Sequence, residues 1–377
     1  MNTTPRSNRL HIAFFGQTNA GKSSLINALT GQDIALVSDI KGTTTDPVYK
    51  AMEILPIGPV VLIDTAGLND DTRLGILRQK KTIDVLEKTD VALLVFDANQ
   101  TPHQVDVDLI SAIKKRNIPC IGILNKIDDM PESNATSEQA LKDYATQFDI
   151  PFVATSARTK QGIDSIKDIL IKHSPQDIHE HKLVGDLIQP GDFVVLVTPV
   201  DSAAPKGRVI LPQQQTVRDI IDHDAMAIVT KETEFAETLR KLGTKPALVI
   251  TDSQAFEQVS AETPLDIPLT SFSILFARHK GDLNSLIQGA STIDRLQDGD
   301  KVLIAEGCTH HRQADDIGTV KIPRWLRQST GKDLIFEHTA GVGFKDNLDG
   351  YKLVIHCGGC MLNHKAMNHR ITSSLEE

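Results

Sequence analysis

Short apolar runs alternate with amphipathic stretches along most of the chain, a pattern typical of α/β proteins. In the first half, the runs LHIAFFG (10–16), PVVLIDTAG (59–67), CIGILNKID (120–128) and PFVATSAR (151–158) are each predicted to form a buried strand. GKSSLINALTG (21–31) has the pattern of a helix that ends at a glycine. The later runs end in polar residues, so these strands are expected to present polar side chains at one edge of a sheet.

The second half of the chain repeats the alternation of apolar and amphipathic stretches. Apolar runs at 193–200, 225–230 and 247–252 are predicted strands, and the stretches 212–224 and 233–243 between them are predicted helices. Crossover connections this short favour parallel strands. A second α/β layer is therefore expected here.

A third α/β block is expected to begin near residue 271. Its predicted strands lie at 300–308 and 351–360, and both end in cysteines. The polar stretch 171–186 has no clear period and is interpreted as a linker. The predicted fold class is α/β, with a nucleotide-binding domain followed by two further α/β domains.

The composition of the chain excludes some classes of function. Its 40 Lys and Arg against 49 Asp and Glu give a formal charge of -9, which argues against nucleic-acid binding. The first residues lack the apolar core of a secretory signal, and no apolar run reaches the roughly 18 residues that cross a bilayer. We therefore expect a cytoplasmic protein without a membrane segment. In that reducing compartment, its four cysteines favour metal ligation over disulfides.

The segment GQTNAGKS, from Gly16 to Ser23, matches the pattern of a phosphate-binding loop. It lies between a predicted strand and a predicted helix, which is the context that this motif requires. Backbone N–H groups of such a loop surround the phosphates, and the start of the helix adds positive potential. Lys22 is expected to contact the β- and γ-phosphates, and Ser23 is expected to ligate Mg²⁺.

Further motifs follow this loop in chain order. Thr44 in KGTTTD is expected to bind Mg²⁺ and the γ-phosphate, Asp64 to hold Mg²⁺ through water, and Gly67 to sense the γ-phosphate. Asp128 in NKID can accept both N–H groups of the guanine edge, a pairing that adenine cannot make, and Ser156 begins a loop that supports the base. We expect Lys22, Thr44 and Gly67 to serve catalysis. The residues expected to bind GTP or GDP are Gly16, Asn19, Ala20, Gly21, Lys22, Ser23, Ser24, Thr44, Asp64, Gly67, Asn125, Lys126, Asp128, Ser156 and Ala157.

Residues of about 8–175 resemble the translation-factor-related GTPases, in particular the tRNA-modification and ribosome-assembly branch, through the segments GKSSLINALTG and GTTTD. The resemblance implies that Asn19 helps to bind an activating K⁺. Leu68 stands where Ras-like enzymes place a water-orienting glutamine. We therefore expect slow, switch-like hydrolysis, with a turnover below about 1 s⁻¹.

Three cysteines lie at the ends of two predicted strands, Cys308 on one and Cys357 and Cys360 on the other. If these strands are parallel, the three thiols can share one rim of the sheet. Three thiolates fit a tetrahedral zinc site that a histidine completes, and they also fit an iron–sulfur cluster. The candidate histidines are His310, His311 and His356. Cys120 lies on a predicted strand of the nucleotide domain and is expected to be an apolar core residue.

A C-x-H motif followed by a distant H-C-x-x-C motif, behind a GTPase domain, resembles the HydF family of FeFe-hydrogenase maturation GTPases over nearly the whole chain. The motifs are Cys308-Thr309-His310 and His356-Cys357-Gly358-Gly359-Cys360. The resemblance implies that Cys308, Cys357 and Cys360 bind a 4Fe–4S cluster. His310 and His356 are the candidates for a fourth ligand.

The same resemblance implies the division of the chain and its partners. The expected parts are a P-loop GTPase domain (1–175), a linker (176–186), a dimerisation domain (187–265) and an iron–sulfur cluster-binding domain (266–377). The expected assembly is a homodimer that carries a di-iron precursor with CO and cyanide ligands. It would deliver this cargo to apo FeFe-hydrogenase and work with two radical-SAM maturases.

Two other functions stay open on the sequence alone. The front domain also suits a ribosome- or tRNA-associated GTPase with a C-terminal structural zinc site. Alternatively, the back half is a dimerisation module with incidental thiols. RNA binding that weakens steeply with salt would favour the first of these, and metal content unchanged by Cys357→Ser would favour the second.

Overall fold

The computed structural model describes residues 4–31, 47–67, 81–130, 137–175, 183–199, 209–307, 316–341, 344–345 and 347–376. The chain divides into two compact units, residues 1–178 and 179–377. Thr44, Leu68, Cys308 and His310 lie outside the described residues, so the expectations for them stay predictions. None of the helices in the described ranges is long and apolar enough to cross a membrane.

The first unit is built on one six-stranded sheet with helices on both faces. Its strands are β1 (Leu10–Gly16), β2 (Val48–Ile54), β3 (Gly58–Asp64), β4 (Val91–Asp97), β5 (Cys120–Asn125) and β6 (Phe152–Ala154). Its helices include α1 (Lys22–Thr30), α2 (Gln104–Lys115), α3 (Ser137–Phe148) and α4 (Ile163–His173). The strand order is β2-β3-β1-β4-β5-β6, and β2 pairs antiparallel with β3 while the other pairs are parallel. Helices α1 and α4 pack on one face, and α2 and α3 on the other.

The strands predicted in this half of the chain are present as β1, β3, β5 and β6, and the predicted helix is α1. Two strands, β4 and β2, are additional to those predicted from the sequence. The sequence of β4, VALLVFD, has the apolar pattern from which a buried strand can be predicted, and all of its residues are buried. In contrast, β2 lies at the edge of the sheet and buries fully only Ile54, so its sequence carries little apolar signal.

A four-stranded parallel sheet forms the first part of the second unit. Its strands are β7 (Phe193–Val197), β8 (Met226–Thr230), β9 (Leu248–Thr251) and β10 (Leu269–Ser271). Its helices are α5 (Leu211–Asp222), α6 (Phe235–Leu242), α7 (Phe256–Glu262) and α8 (Phe272–Lys280). The order is β10-β9-β7-β8, and every pair is parallel, as the short crossovers predicted.

The polypeptide of this sheet extends beyond the domain limits that we expected from the sequence. After residue 265, β10 adds an edge strand, and Phe272 and Phe276 of α8 pack in the core of the sheet. Before residue 187, Val184 of the expected linker is fully buried in the same core. Asp219 on α5 fixes this segment because its carboxylate accepts the N–H of Val184 at 2.7 Å.

A three-stranded parallel sheet forms the remainder of the second unit. Its elements are α9 (Leu283–Ala290), β11 (Lys301–Glu306), α10 (Ile322–Thr330), β12 (Ile335–Ala340), β13 (Tyr351–His356) and α11 (His364–Glu376). The order is β12-β11-β13, with Ala305 opposite His356. The two strands that precede the cysteines, β11 and β13, are therefore parallel neighbours, which is the condition for their thiols to share one rim, and their carboxyl ends meet at one edge.

Candidate functional site

The phosphate-binding loop connects β1 to α1, and Lys22 is the first residue of α1. The Lys22 side chain is buried, and its Nζ donates hydrogen bonds to the carbonyl oxygens of Gly16 at 3.0 Å and Gln17 at 2.9 Å. Burial lowers the pKa of Lys22 to about 8, although Asp64 and Asp106 oppose this shift. The loop thus wraps around an ammonium group, as a phosphate site requires.

Asn125, which is predicted to bind nucleotide, is buried at the end of β5 and forms hydrogen bonds with the phosphate-binding loop and with the loop after β6. Its Nδ2 donates to the carbonyl oxygen of Ala20 at 2.9 Å, and its Oδ1 accepts the N–H of Ala157 at 3.1 Å. Gly21 has a positive φ of 96°, and a Cβ there would lie 2.2 Å from Asn125 Nδ2. The motif glycine is thus required both by its backbone conformation and by this close approach.

Ser23 and Asp64 come together beside the loop and suit a magnesium site. Ser23 Oγ donates to Asp64 Oδ2 at 2.5 Å, while Asp64 Oδ1 is buried and has no hydrogen-bond partner among the described residues. Burial raises the pKa of Asp64, and the Ser23 hydrogen bond and the Lys22 charge lower it. A hydroxyl beside an unsatisfied carboxylate oxygen is the donor set that a hydrated Mg²⁺ satisfies.

A cleft of about 590 Å³ lies next to these residues and has the size of a small-molecule site. It is lined by Gly21, Ser24, Asn27, Ala28, Gly31, Asn125, Lys126, Asp128, Asp129, Ala157, Arg158 and Lys160. Most of the predicted base-binding residues are therefore at one place. A cleft lined by a carboxylate, an amide and a backbone loop can recognise a planar base through its edge.

Ion pairs that were not predicted from the sequence hold the acidic residues of this cleft. Lys126 Nζ binds Asp97 Oδ2 at 2.7 Å, at the end of β4. The exposed Arg158 forms ion pairs with Asp128 and with Asp129. A hydrogen bond from Ser156 lowers the pKa of Asp128, and the Arg158 guanidinium acts in the same direction. Asp128 is therefore ionised, and it can accept two hydrogen bonds from a base that replaces Arg158.

Two further residues have predicted roles: Gly67 is expected to sense the γ-phosphate, and Asn19 to help bind K⁺. Gly67 approaches the loop so closely that a Cβ there would lie 2.2 Å from Thr18 Oγ1. Asn19 is exposed and has a positive φ of 65°, a conformation that asparagine tolerates better than most residues. The backbone alone is thus a sufficient reason for asparagine at this position.

The cysteine loop, defined here as residues 357–362, leaves the end of β13. Cys357 is exposed, and its Sγ accepts a hydrogen bond from the N–H of Gly307 at 3.1 Å. Gly307 follows β11 and directly precedes Cys308 in the chain. The Cys357 thiol therefore lies at the edge of the sheet where Cys308 is predicted to contribute.

Cys360 is half-buried and packs against the core of the four-stranded sheet. Burial raises the pKa of its thiol, the nearby Cys357 raises it further, and Lys280 lowers it. Lys280, the last residue of α8, is buried, and its own pKa is lowered by burial to about 8. The two thiols and this ammonium group thus form one electrostatic cluster.

His356, a candidate fourth ligand, has both ring nitrogens engaged. Its Nδ1 lies 2.6 Å from the carbonyl oxygen of Cys357 and donates to it, and its Nε2 accepts from Arg370 Nη1 at 2.8 Å. Burial lowers the pKa of His356 to about 4, so the ring is neutral. Ligation by His356 requires the release of Arg370. Across the described ranges, which omit Cys308 and His310, no group of three His, Cys, Asp or Glu side chains is arranged to hold a metal ion.

Three known protein families match parts of this chain. Residues 11–126 match the 50S ribosome-binding GTPase family. Residues 183–281 match the hydrogen maturase F dimerization domain, and residues 284–377 match the hydrogen maturase F tetramerization domain. The first unit is therefore a P-loop GTPase domain, and the second carries two domains named for oligomerisation.

Relatives of known name resemble the front of the chain. GTPase Der of a Nitratiruptor species is 35% identical over 173 residues, which are 44% of this chain and 37% of that protein. The tRNA modification GTPase MnmE of Helicobacter pylori is 37% identical over 178 residues, which are 46% of this chain and 36% of that protein. The chain thus spans less than half the length of these relatives.

Among solved structures, a single-residue variant of Era from Aquifex aeolicus, bound to GDP.AlF4-, aligns with a TM-score of 0.40 and 19% identity, over 62% of this chain and 98% of that chain.

The matches to the hydrogen maturase F domains cover nearly all of residues 183–377, where the cysteine loop lies. The GTPase match covers the phosphate-binding loop and Asp64, which the fold brings together. On this combination of domains, the chain belongs to the hydrogen maturase F (HydF) family of hydrogenase maturation GTPases.

Proposed function

We propose that this protein binds and slowly hydrolyses GTP, carries a 4Fe–4S cluster on Cys308, Cys357 and Cys360, and acts as a scaffold that delivers a di-iron precursor to apo FeFe-hydrogenase. One observation carries the cluster assignment: the hydrogen bond from Gly307 N–H to Cys357 Sγ at 3.1 Å. This contact joins the two cysteine motifs, which are about 50 residues apart in the chain. N–H donors to sulfur are a regular feature of cluster sites.

The nucleotide part of the proposal rests on the clustered motifs of the first unit. Lys22 would contact the β- and γ-phosphates, Ser23 would ligate Mg²⁺ with Asp64 behind a water, and Asp128 would select guanine. Thr44 would complete the magnesium and γ-phosphate contacts. Asn19 is the residue we propose for an activating K⁺.

The donor set of the cysteine loop fits an iron–sulfur cluster. The Cys357 thiol lies at the edge of the sheet, Cys360 follows it in the same loop, and the third cysteine directly follows Gly307. A cluster with three cysteine ligands supplies one iron with an exchangeable ligand position. His310 stays a candidate for that position, and His356 becomes one only when its hydrogen bond to Arg370 is released.

The partners follow from family membership. The dimerization and tetramerization domains support a homo-oligomer with a dimer as its basic unit. We propose apo FeFe-hydrogenase as the acceptor of the di-iron cargo and two radical-SAM maturases as the upstream partners. A cytoplasmic location and the absence of nucleic-acid binding are part of the same proposal, and the net charge of -9 supports the latter.

The alternative, a ribosome- or tRNA-associated GTPase with a structural zinc site, is supported only by the front domain. Der and MnmE resemble this chain over less than half of its length. Residues 183–377 instead match domains of the hydrogen maturase F family. Zinc content and iron content distinguish the two proposals.

The cluster proposal predicts metal content. Protein purified without oxygen is expected to hold close to four iron and four sulfide per chain, because a cubane has that composition. Cys308→Ser and Cys357→Ser are each expected to lose most of this iron and the EPR signal of the reduced cluster. Chemical analysis of iron, sulfide and zinc, together with EPR, measures both effects.

Cys120 provides the matched control for these variants. It is a buried cysteine on β5 in the first unit, and burial raises its pKa to about 12. Cys120→Ala is expected to keep the iron, and the GTPase rate of Cys357→Ser is expected to equal that of the wild type. Stoichiometric zinc with little iron in the wild type would overturn the proposal.

The nucleotide proposal predicts slow turnover. Phosphate release at saturating GTP is expected to have a kcat below about 1 s⁻¹, since Leu68 offers no side chain that orients the attacking water. Steady-state phosphate release with and without K⁺ measures this rate. A kcat well above that value would contradict slow, switch-like hydrolysis. Equal rates in K⁺ and Na⁺ would contradict the K⁺ site.

A further inference from the structure

Lys280 is a buried lysine that the nucleotide site does not use. It is the last residue of α8, and it is 2% exposed. A lysine at the end of a helix normally extends into water, because burial of its ammonium group is costly without partners. Its burial therefore indicates a specific set of contacts.

Those contacts are with the cysteine loop. Lys280 Nζ donates to the carbonyl oxygen of Leu362 at 2.6 Å and to that of Cys360 at 3.1 Å. Both acceptors are main-chain oxygens of the segment that follows Cys357. Buried hydrogen bonds from a charged donor are stronger than those between neutral groups. The ammonium group thus fixes the backbone on which the Cys360 thiol is carried.

The remainder of the loop is fitted closely against the same helix. A Cβ on Gly358 would lie 3.0 Å from the carbonyl oxygen of Ser273 and 3.4 Å from Phe276 Cβ. Cys360 packs against the core to which Phe276 belongs. Helix α8 lies within the dimerization-domain match, whereas the loop lies within the tetramerization-domain match. Lys280 therefore links the two domains at the cysteines.

The charge of Lys280 also acts on the Cys360 sulfur. Lys280 Nζ donates to the carbonyl oxygen of Cys360 itself at 3.1 Å, so the positive charge lies next to the residue that carries this sulfur. A positive charge near an iron–sulfur cluster stabilises its more negative, reduced form, and so raises its reduction potential.

We propose that Lys280 is a positioning residue of the iron–sulfur site, which holds the cysteine loop against α8 and keeps a positive charge beside the Cys360 sulfur. This inference rests on the proposed cluster function. It adds a residue outside the cysteine motifs, on a helix of the neighbouring domain.

The test uses the full-length variants Lys280→Met, which keeps the apolar stem, and Lys280→Arg, which keeps the charge and the donors. Lys301→Met is the matched control, since it removes one positive charge from an exposed position at the opposite end of β11. The first readout is hydrogen exchange of the peptide 357–362 in protein stripped of iron. The second is the midpoint potential of the reconstituted cluster, from an EPR-monitored titration.

The N–H of Leu362 donates to the carbonyl oxygen of Gly359 at 2.9 Å. In Lys280→Met, the hydrogen-exchange rate of this N–H is expected to be at least about tenfold higher than in the wild type. The midpoint potential of this variant is expected to fall by about 59 mV, a tenfold shift of the one-electron equilibrium. Lys280→Arg and Lys301→Met are expected to match the wild type in both readouts. A purely structural role would leave the potential unchanged.

Three outcomes would overturn the inference. They are unchanged exchange in Lys280→Met, an unchanged potential at full iron content, and an equal effect in Lys301→Met. If Lys280→Met does not fold, Lys280→Arg is the deciding variant. The inference requires that it keep both the exchange protection and the midpoint potential of the wild type, and loss of either would overturn it. A wild type without iron and sulfide would defeat the proposed function, while the exchange experiment would still decide whether Lys280 holds the loop.

Discussion

Lys22→Met is expected to reduce the rate of GTP hydrolysis by about 100-fold or more, the loss typical of removing one preorganised charge from a transition state. Lys22 Nζ lies within the phosphate-binding loop, bonded to the carbonyl oxygens of Gly16 and Gln17. Methionine keeps the apolar stem in its buried position and removes only the charge and the donors. Single-turnover phosphate release measures the chemical step, and titration with a fluorescent GTP analogue measures affinity.

The affinity of the wild type for GTP is expected to fall as the pH rises through about 8. Burial lowers the pKa of Lys22 to about 8, so above this pH the free protein holds a neutral amine. That amine must take up a proton to pair with the phosphates, which weakens binding as protons become scarce. Lys22→Met is expected to lack this part of the pH dependence.

Lys115→Met provides the matched control, since Lys115 is exposed at the end of α2 in the same unit. It is expected to leave both the rate and its pH dependence unchanged. Hydrolysis by Lys22→Met within about threefold of the wild type would show that Lys22 does not act on the γ-phosphate.

The nucleotide site could be predicted from the sequence because each of its motifs is local. The conformation of the loop follows from glycines such as Gly21, and the polar residues follow apolar strands whose carboxyl ends share one edge of the sheet. Asp64 and Asn125 each end a buried strand. Their meeting beside Ser23 and Ala20 is therefore a consequence of the parallel order β3-β1-β4-β5.

The ion-pair partners of Lys126 and Arg158 could not be predicted from the sequence, because these pairs depend on contacts between distant segments. Lys126 pairs with Asp97 across two strands, and Arg158 pairs with Asp128 from the loop after β6. In the sequence, Lys126 is predicted only to bind nucleotide, and Arg158 has the appearance of a solvated side chain. Only the order of the strands brings each one to a carboxylate.

Lys280 illustrates the same limit in the second unit. The sequence around it, ARHKG, has the basic residues and the glycine that favour the end of an exposed helix. Its burial depends on a loop about 80 residues later in the chain. The strand β12 was missed for a related reason. Its residues IFEHTA mix polar and apolar types, and none of them is fully buried.

Asp128→Asn is expected to change the preferred base of the nucleotide. Asp128 is ionised, because a hydrogen bond from Ser156 and the charge of Arg158 lower its pKa. Its carboxylate can accept the two N–H groups of guanine, whereas asparagine offers one acceptor and one donor group. The affinity for GTP is therefore expected to fall on the order of 100-fold, since two charge-assisted hydrogen bonds are lost or weakened.

Xanthosine triphosphate is expected to bind Asp128→Asn better than GTP does. Xanthine has a carbonyl group where guanine has its amino group, so the asparagine amide can donate to it while its oxygen accepts the neighbouring N–H. Competition between the two nucleotides for a fluorescent GDP analogue measures the preference directly. Hydrolysis of each nucleotide at saturation then shows whether the chemical step is unaffected, as expected for a residue that contacts only the base.

Asp129→Asn is the matched control for this change of preference. Asp129 is the neighbouring carboxylate, it also pairs with Arg158, and its side chain is 47% exposed against 12% for Asp128. Both substitutions therefore remove one ion pair from Arg158 and one negative charge from the same turn. Asp129→Asn is expected to keep the preference for GTP. Equal losses of GTP affinity in the two variants would mean that the charge of the turn, and not a contact of Asp128 with the base, determines binding.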